Sequence, residues 1–249
     1  MGRLMPGFLG IGAMRSGTTW LATKLAQHPR IRMGRKEIHF FNRKIGRLGA
    51  PGSILDRRNK VQYLARFVQG PLHGGIRGEV TPAYAILKPT LIQRIHEWMP
   101  DVRLIYLMRD PAERAWSHAR YEFPTWRGRS IHDVSRDELV EFLASEDVRL
   151  RSDYVTCIQN WKTFFPTKQF FFGFLDDIRD QPGILLRDVF EFIGVESSLP
   201  VNKETKHLVI GSSTAAPMPD WFREYVQNTW PMDNDQLAEL TNKDIPWVR

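Results

Sequence analysis

Three groups of residues in this chain have the types and spacing to do chemistry. The first is the stretch 8–20, FLGIGAMRSGTTW. Four apolar residues lead into a turn, Gly12-Ala13-Met14-Arg15-Ser16-Gly17, and Thr18-Thr19-Trp20-Leu21 then opens a helical pattern. A glycine-punctuated turn from strand to helix gathers backbone N–H groups and the positive end of a helix dipole at one point, which attracts phosphate. Arg15 adds a fixed positive charge, and Ser16, Thr18 and Thr19 add hydroxyl donors. The second group is Arg109, directly after the apolar run 102–108, with Ser117 eight residues later. Arginine is a planar fork donor suited to phosphate oxygens. The third group is Glu37 and His39, which alternate with Ile38 and Phe40 in KEIHFF. In extended backbone the two polar groups point the same way. The apolar neighbours would partly bury Glu37, the setting in which a carboxylate becomes a useful base.

A kinase-type phosphate loop is the first reading to test. Gly12 and Gly17 have the GxxxxG separation, but Thr18 stands where a Walker loop places its lysine. Thr19 can mimic the hydroxyl that follows; nothing in the loop supplies the lysine. The loop's cation, Arg15, lies two residues before Gly17. That suits a short phosphate-anhydride better than a triphosphate–metal complex. No GxGxxG opens the helix, so a dinucleotide fold is the weaker reading. A nucleotide kinase of related fold remains the alternative.

On these residues the chain resembles the sulfotransferase family. Its 5′-phosphosulfate loop typically reads PKSGTTWL, and residues 14–21 here read MRSGTTWL. Its 3′-phosphate motif pairs an arginine at a strand end with a serine eight residues on, matching Arg109 and Ser117 in LIYLMRDPAERAWSHARYE. KEIHFF and GEVTPAY resemble the KE-x-HFF and E-K-x-PAY runs of the glycosaminoglycan or Golgi-type branch, here in a bacterial-type chain. Val80 stands where that branch has lysine. The cytosolic small-molecule branch uses a histidine in the segment matching 78–82, and none occurs there. The resemblance runs to about residue 195.

What the resemblance implies is a fold related to P-loop kinases and the donor 3′-phosphoadenosine 5′-phosphosulfate (PAPS), with its desulfated form PAP as product. Arg15, Ser16, Gly17, Thr18, Thr19 and Trp20 would hold the 5′ end. Arg109 and Ser117 would grip the 3′-phosphate. Glu37 would take the proton from an acceptor hydroxyl, less readily an amine, and no metal is needed. His39 would be a second proton carrier or a donor to the sulfuryl oxygens. A structural core histidine is the other reading of His39, and the residues leave both open. Glu79 is read as a hydrogen-bonding structural acid. A basic segment, 203–214, is a candidate lid over the nucleotide.

The elements that must position these groups follow from periodicity. Apolar runs at 8–11, 76–81, 102–108 and 169–175 read as strands. Helices are expected at 18–27, 61–68, 90–99, 111–122, 137–144, 153–165, 182–193, 220–228 and 236–241. Asp110 and Pro111 suit an N-cap and first helical position. Trp116, Trp126 and Trp161 are read as core or rim residues. Strands separated by helices indicate an α/β fold, three-layer α/β/α with a mostly parallel central sheet. The 249 residues show no convincing linker, so one domain over 1–249 is expected.

Composition sets the outer limits. The +7 formal charge favours an anionic ligand but would also suit nucleic acid or a membrane surface. No nucleic-acid motif accompanies it, and no nucleic-acid partner is expected. The acceptor is a small molecule or a glycan, shaped by the loops 42–60 and 123–136. Cys157 is the single cysteine, so no intrachain disulfide forms. No apolar run approaches the roughly 20 residues of a membrane span, and no signal peptide is read. A cytoplasmic location is the default expectation.

Overall fold

The computed structural model describes residues 5–42, 57–67, 75–196, 216–230 and 232–248. At its centre is β1 (Phe8–Gly12), buried along its whole length. It is joined by β2 (Ile31–Met33), β3 (Ile76–Val80), β4 (Arg103–Met108) and β5 (Phe170–Phe174). The strands pair in the order β2-β3-β1-β4-β5, every pair parallel. Parallel neighbours need crossovers, and those are largely helical: α1 (Thr18–Ala26), α2 (Arg57–Leu64), α3 (Pro89–Trp98), α4 (Pro111–Trp126), α5 (Arg136–Ala144), α6 (Glu146–Leu150) and α7 (Tyr154–Lys162). After β5 come α8 (Leu175–Asp180), α9 (Pro182–Ile193), α10 (Asp220–Thr229) and α11 (Asn234–Thr241).

Strand β4 shows why the sheet has helices on both faces. Leu104, Tyr106 and Met108 enter one core with Leu9, Ile11, Phe170, Phe172 and Phe174. Ile105 and Leu107 enter the opposite core with Phe8, Trp20, Leu21 and Phe190. Side chains alternate along a strand, so a continuous apolar run serves two cores at once. A third cluster joins α4, α5 and α10 through Trp116, Phe123, Phe142 and Phe222.

Most expected elements are found, with shifts at their ends. The capping of α4 is as read: Asp110 Oδ1 accepts from the Glu113 N–H at 2.7 Å, and Pro111 opens the helix. The helix runs to Trp126 rather than stopping near residue 122. Its last turn contains Pro124, but Phe123 is fully buried against Phe142, with ring centroids 5.8 Å apart. Packing there outweighs the helix-breaking preference of proline. Three short elements have no counterpart in the sequence reading: β2, α6 and α8. Each has at most six residues, too few to show a period. Most of the expected acceptor loop at 42–60 and all of the candidate lid at 203–214 lie outside the described residues.

Candidate active site

The candidate phosphate cradle forms where β1 turns into α1. The Ala13 N–H donates to the Leu107 carbonyl at 2.6 Å, which ties the turn to β4. Arg15 and Gly17 both have left-handed backbone, with φ of 69° and 86°. Only glycine suits the second position well: a Cβ there would lie 2.4 Å from Ile178 Cδ1. Gly17 caps α1 without any side-chain hydrogen bond to the helix. The first N–H groups of α1 have no intrahelical carbonyl to bind, so the helix start is an anion site.

Not every residue of the loop faces outward. Thr19 is exposed. Ser16 is fully buried, and its N–H donates to the Ala13 carbonyl at 3.3 Å, so it shapes the turn. Trp20, expected among the binding residues, packs into the core beneath the loop at 3% exposure. At the helix start, only its backbone N–H is available to a ligand. Trp20 joins Leu21, Ala22 and Leu25 in the core cluster that α1 forms with the sheet.

The two sequence motifs meet in space. Arg15 Nε donates to Ser117 Oγ at 3.1 Å, across 102 residues of chain. The Arg15 guanidinium lies 4.9 Å from the centre of the Tyr121 ring. Burial lowers its pKa, and the neighbouring charges of Arg109 and Arg120 lower it further. Arg120 was not identified from sequence. It lies three residues after Ser117, hence on the same face of α4, and that spacing was the available signal. Its pKa is lowered by burial and by Arg109. Three guanidiniums thus crowd one place. Arg109 Nε and Arg120 Nε are buried without a hydrogen-bond partner among the described residues. Like charges and unpaired buried donors are costly to assemble without an anion between them.

Arg109 is itself held from two sides. One amino group donates to Glu113 at 2.7 Å, and its carbonyl accepts from the Tyr154 hydroxyl at 2.7 Å. Arg223, from α10, binds Asp110 at 3.2 Å and Glu113 at 3.1 Å. No motif pointed to Arg223; only the folded chain brings α10 to the start of α4. A cavity of about 770 Å³ opens beside Arg109, lined also by Glu113, Asp176, Arg223 and Trp247. That volume lies within the range of about 300–1,000 Å³ usual for small-molecule sites. The cavity sits outside the C-terminal ends of β4 and β5, where open α/β sheets bind ligands.

The third group is also assembled, though by a turn rather than a strand. His39 has φ of 52°, so residues 37–39 are not extended as expected. The turn still brings His39 Nε2 within 3.0 Å of Glu37 Oε2. Asn42 lies on the other ring nitrogen at 3.1 Å. A neutral ring that donates from Nε2 to Glu37 accepts from the Asn42 amide at Nδ1. His39 is 43% exposed at its side chain, which excludes a core histidine. Glu37 is half-buried, while Ile38 and Phe41 anchor the segment in the core. Lys36 was missed as a site residue. Its Nζ donates to Thr19 Oγ1 at 2.7 Å and lies 3.9 Å from Glu37 Oε1. Burial lowers the Lys36 pKa, Glu37 opposes that shift and Arg15 adds to it. Lys36 therefore links the cradle to the Glu37 segment. Val80, where the glycosaminoglycan-type branch has lysine, is buried in the core against Gly10.

Similarity to known proteins agrees with this geometry. Residues 7–220 match the sulfotransferase domain family. The chain belongs to the sulfotransferase family. A membrane-associated sulfotransferase, kil1, of Dictyostelium discoideum is 36% identical over 120 residues, which span 48% of this chain but only 23% of that protein. Mouse heparan sulfate glucosamine 3-O-sulfotransferase 6 is 26% identical across 98% of this chain and 74% of its own length. Among solved structures, the sulfotransferase from Alicyclobacillus acidocaldarius has the same fold, with a TM-score of 0.72 over 97% of both chains at 23% identity. A mouse sulfotransferase solved with PAP is more distant, with a TM-score of 0.50 at 15% identity over 94% of this chain and 82% of its own. The protein is a transferase of this family, and the nucleotide-kinase alternative is not favoured. Among the described residues, no helix is long and apolar enough to cross a membrane, and no group of three or more acidic, histidine or cysteine side chains is placed to hold a metal.

Proposed function

We propose that this sulfotransferase moves the sulfuryl group of PAPS to an acceptor hydroxyl and releases PAP. The observation that carries the reading is the meeting of Arg15, Arg109 and Arg120 around Ser117, with two buried guanidinium Nε atoms unpaired among the described residues. PAPS has anions at both ends of its ribose, and this arrangement has donors for both. The start of α1 and Arg15 would take the 5′-phosphosulfate. Arg109, Ser117 and Arg120 would take the 3′-phosphate, and the cavity beside Arg109 would receive the nucleoside.

In this reading Glu37 removes the proton of the acceptor hydroxyl through Oε1, the oxygen not engaged by His39. The acceptor oxygen then bonds to sulfur as the bond from sulfur to the 5′-phosphate oxygen breaks. Negative charge grows on that phosphate, next to Arg15 and the N–H groups of the cradle. Lys36 stands between Thr19 and Glu37, so it would touch the sulfuryl oxygens in transit. It would supply from a neighbouring position the cation that Val80 does not. The named relatives include enzymes of heparan sulfate glucosamine, and a glycan or a small hydroxylated molecule is the acceptor class that we assign. The donor assignment is tested by melting. PAP should stabilise the protein more than ATP with Mg²⁺ does; the reverse order would revive the kinase. Labelled PAPS offered with a panel of glycans and phenols then identifies the acceptor.

A further inference from the structure

Glu79 is fully buried, and none of its hydrogen bonds reaches the donor clamp. Three hydroxyls surround it. Tyr63 Oη donates at 2.6 Å, Thr81 Oγ1 donates at 2.7 Å, and Tyr84 Oη lies 3.3 Å from both carboxylate oxygens. Two of these hydroxyls have a second partner. Thr81 Oγ1 accepts from the Ile38 N–H at 3.3 Å, and Tyr84 Oη accepts from the Phe40 N–H at 3.0 Å. Ile38 and Phe40 are the residues on either side of His39, and Ile38 follows Glu37 directly.

The direction of these bonds depends on the carboxylate. A hydroxyl has one proton to give, and an ionised carboxylate can only accept. With Glu79 ionised, Thr81 and Tyr84 turn their protons inward and present lone pairs to the Ile38 and Phe40 amides. A neutral acid or an amide at position 79 carries a donor as well as an acceptor, and where it donates to Thr81 or Tyr84 that hydroxyl must turn its own proton elsewhere, which shifts the lone pairs it offers to the backbone. We propose that Glu79 is a positioning residue: by orienting the Thr81 and Tyr84 hydroxyls it holds the backbone turn that brings Glu37 and His39 together. The assignment rests on the reading of Glu37 as the base.

The network has a handle in the neutral range. Burial raises the Glu79 pKa to about 7 against the pull of its three hydroxyls, and the charge of Glu37 adds to the rise. Among the described residues, Tyr63 from α2 and Tyr84 after β3 are the other titratable groups hydrogen-bonded to it, and burial raises both, so they keep their protons. The Ile38 and Phe40 amides should therefore report the state of Glu79.

Amide resonances of Ile38 and Phe40, followed by NMR from pH 6 to 8, test this without donor or acceptor. His39 lies between the two amides and can move them in both proteins, so the test is the difference: the wild type should show a component with a shared midpoint near 7 that is absent in Glu79→Gln. In a second pair of variants, Thr81→Val should speed hydrogen exchange of the Ile38 amide about tenfold or more, and Thr81→Ser should restore it. Wild-type resonances that do not move, equal movement in Glu79→Gln, or equal exchange in Thr81→Val and Thr81→Ser would overturn the proposal. If Glu79→Gln does not fold, the wild-type titration and the Thr81 pair still decide. Failure of the base reading shows separately, as full turnover in Glu37→Gln.

Discussion

The proposed donor clamp and the Glu37–Asn42 segment lie at the same C-terminal edge of the sheet, yet they are held in different ways. Arg15 sits in a tight turn between β1 and α1, and Arg109 stands between β4 and the cap of α4. Each is placed by the elements next to it in sequence. Residues 34–42 form no helix or strand. They are held by two side chains sunk in the core, Ile38 and Phe41, and by hydroxyls 43 and 44 residues away. Donor binding should therefore be robust and local, and proton removal should depend on remote contacts. The two functions should come apart under mutation.

The largest separation is expected from Glu37→Gln. Turnover should fall by about 10²–10⁴, the usual contribution of a general base, while the PAP-induced rise in melting temperature persists. A parallel loss of PAP binding would join the two regions into one.

Next in size is a pH effect carried by Glu79. Its folded pKa is raised from 4.5 to about 7 by burial. Between those values the unfolded chain gives up the proton and the folded chain keeps it. Stability is therefore lost as pH rises through the window, and the loss is complete above about 7. His118 acts in the opposite sense, since burial lowers it from 6.5 to about 3 and its contribution is lost as pH falls through that range. Glu79→Gln removes only the first effect. Unfolding free energies at pH 4 and pH 8 should show the variant gaining roughly 3 kcal/mol more than the wild type on going to pH 8, at about 1.4 kcal/mol per pKa unit. Equal changes in both proteins would mean that Glu79 ionises as readily folded as unfolded.

Arg109→Ala should weaken PAP binding by about 10–100-fold, the equivalent of about 1.5–3 kcal/mol for hydrogen bonds to a charged group. Titration calorimetry measures it, and an unchanged affinity would remove Arg109 from the clamp. Gly17→Ala should have the smallest effect. The left-handed backbone costs an alanine about 1–2 kcal/mol, and the added methyl meets the side-chain ends of Ile178 and Leu175. Chemical denaturation should register that loss.

The geometry of the proposed clamp was legible because its residues announce local structure. Apolar runs mark β1 and β4, and glycines mark the turn. Asp110-Pro111 marks the start of α4, and eight residues separate Arg109 from Ser117. Arg120 was within reach on the same helix face. The burial of the Trp20 side chain was not legible, because a motif records which residues recur, not which way each side chain points. Arg223 left no trace, since α10 is brought to α4 by the third core cluster, from more than 100 residues away in sequence.

By itself, the amino-acid sequence determined the alternation of strands and helices, the turn that forms the cradle and the types of residue at the reacting end. Those depend on backbone preferences and hydrophobic periods over a few residues. The tertiary structure decided that Arg15 meets Ser117, that three arginines share one place, and that His39 turns back onto Glu37. It also gave the buried acid Glu79 its partners. Arg15 meets Ser117 across 102 residues, and the hydroxyls that bind the backbone on either side of His39 lie 43 and 44 residues away, contacts made only when the sheet orders its strands and burial removes the competing water.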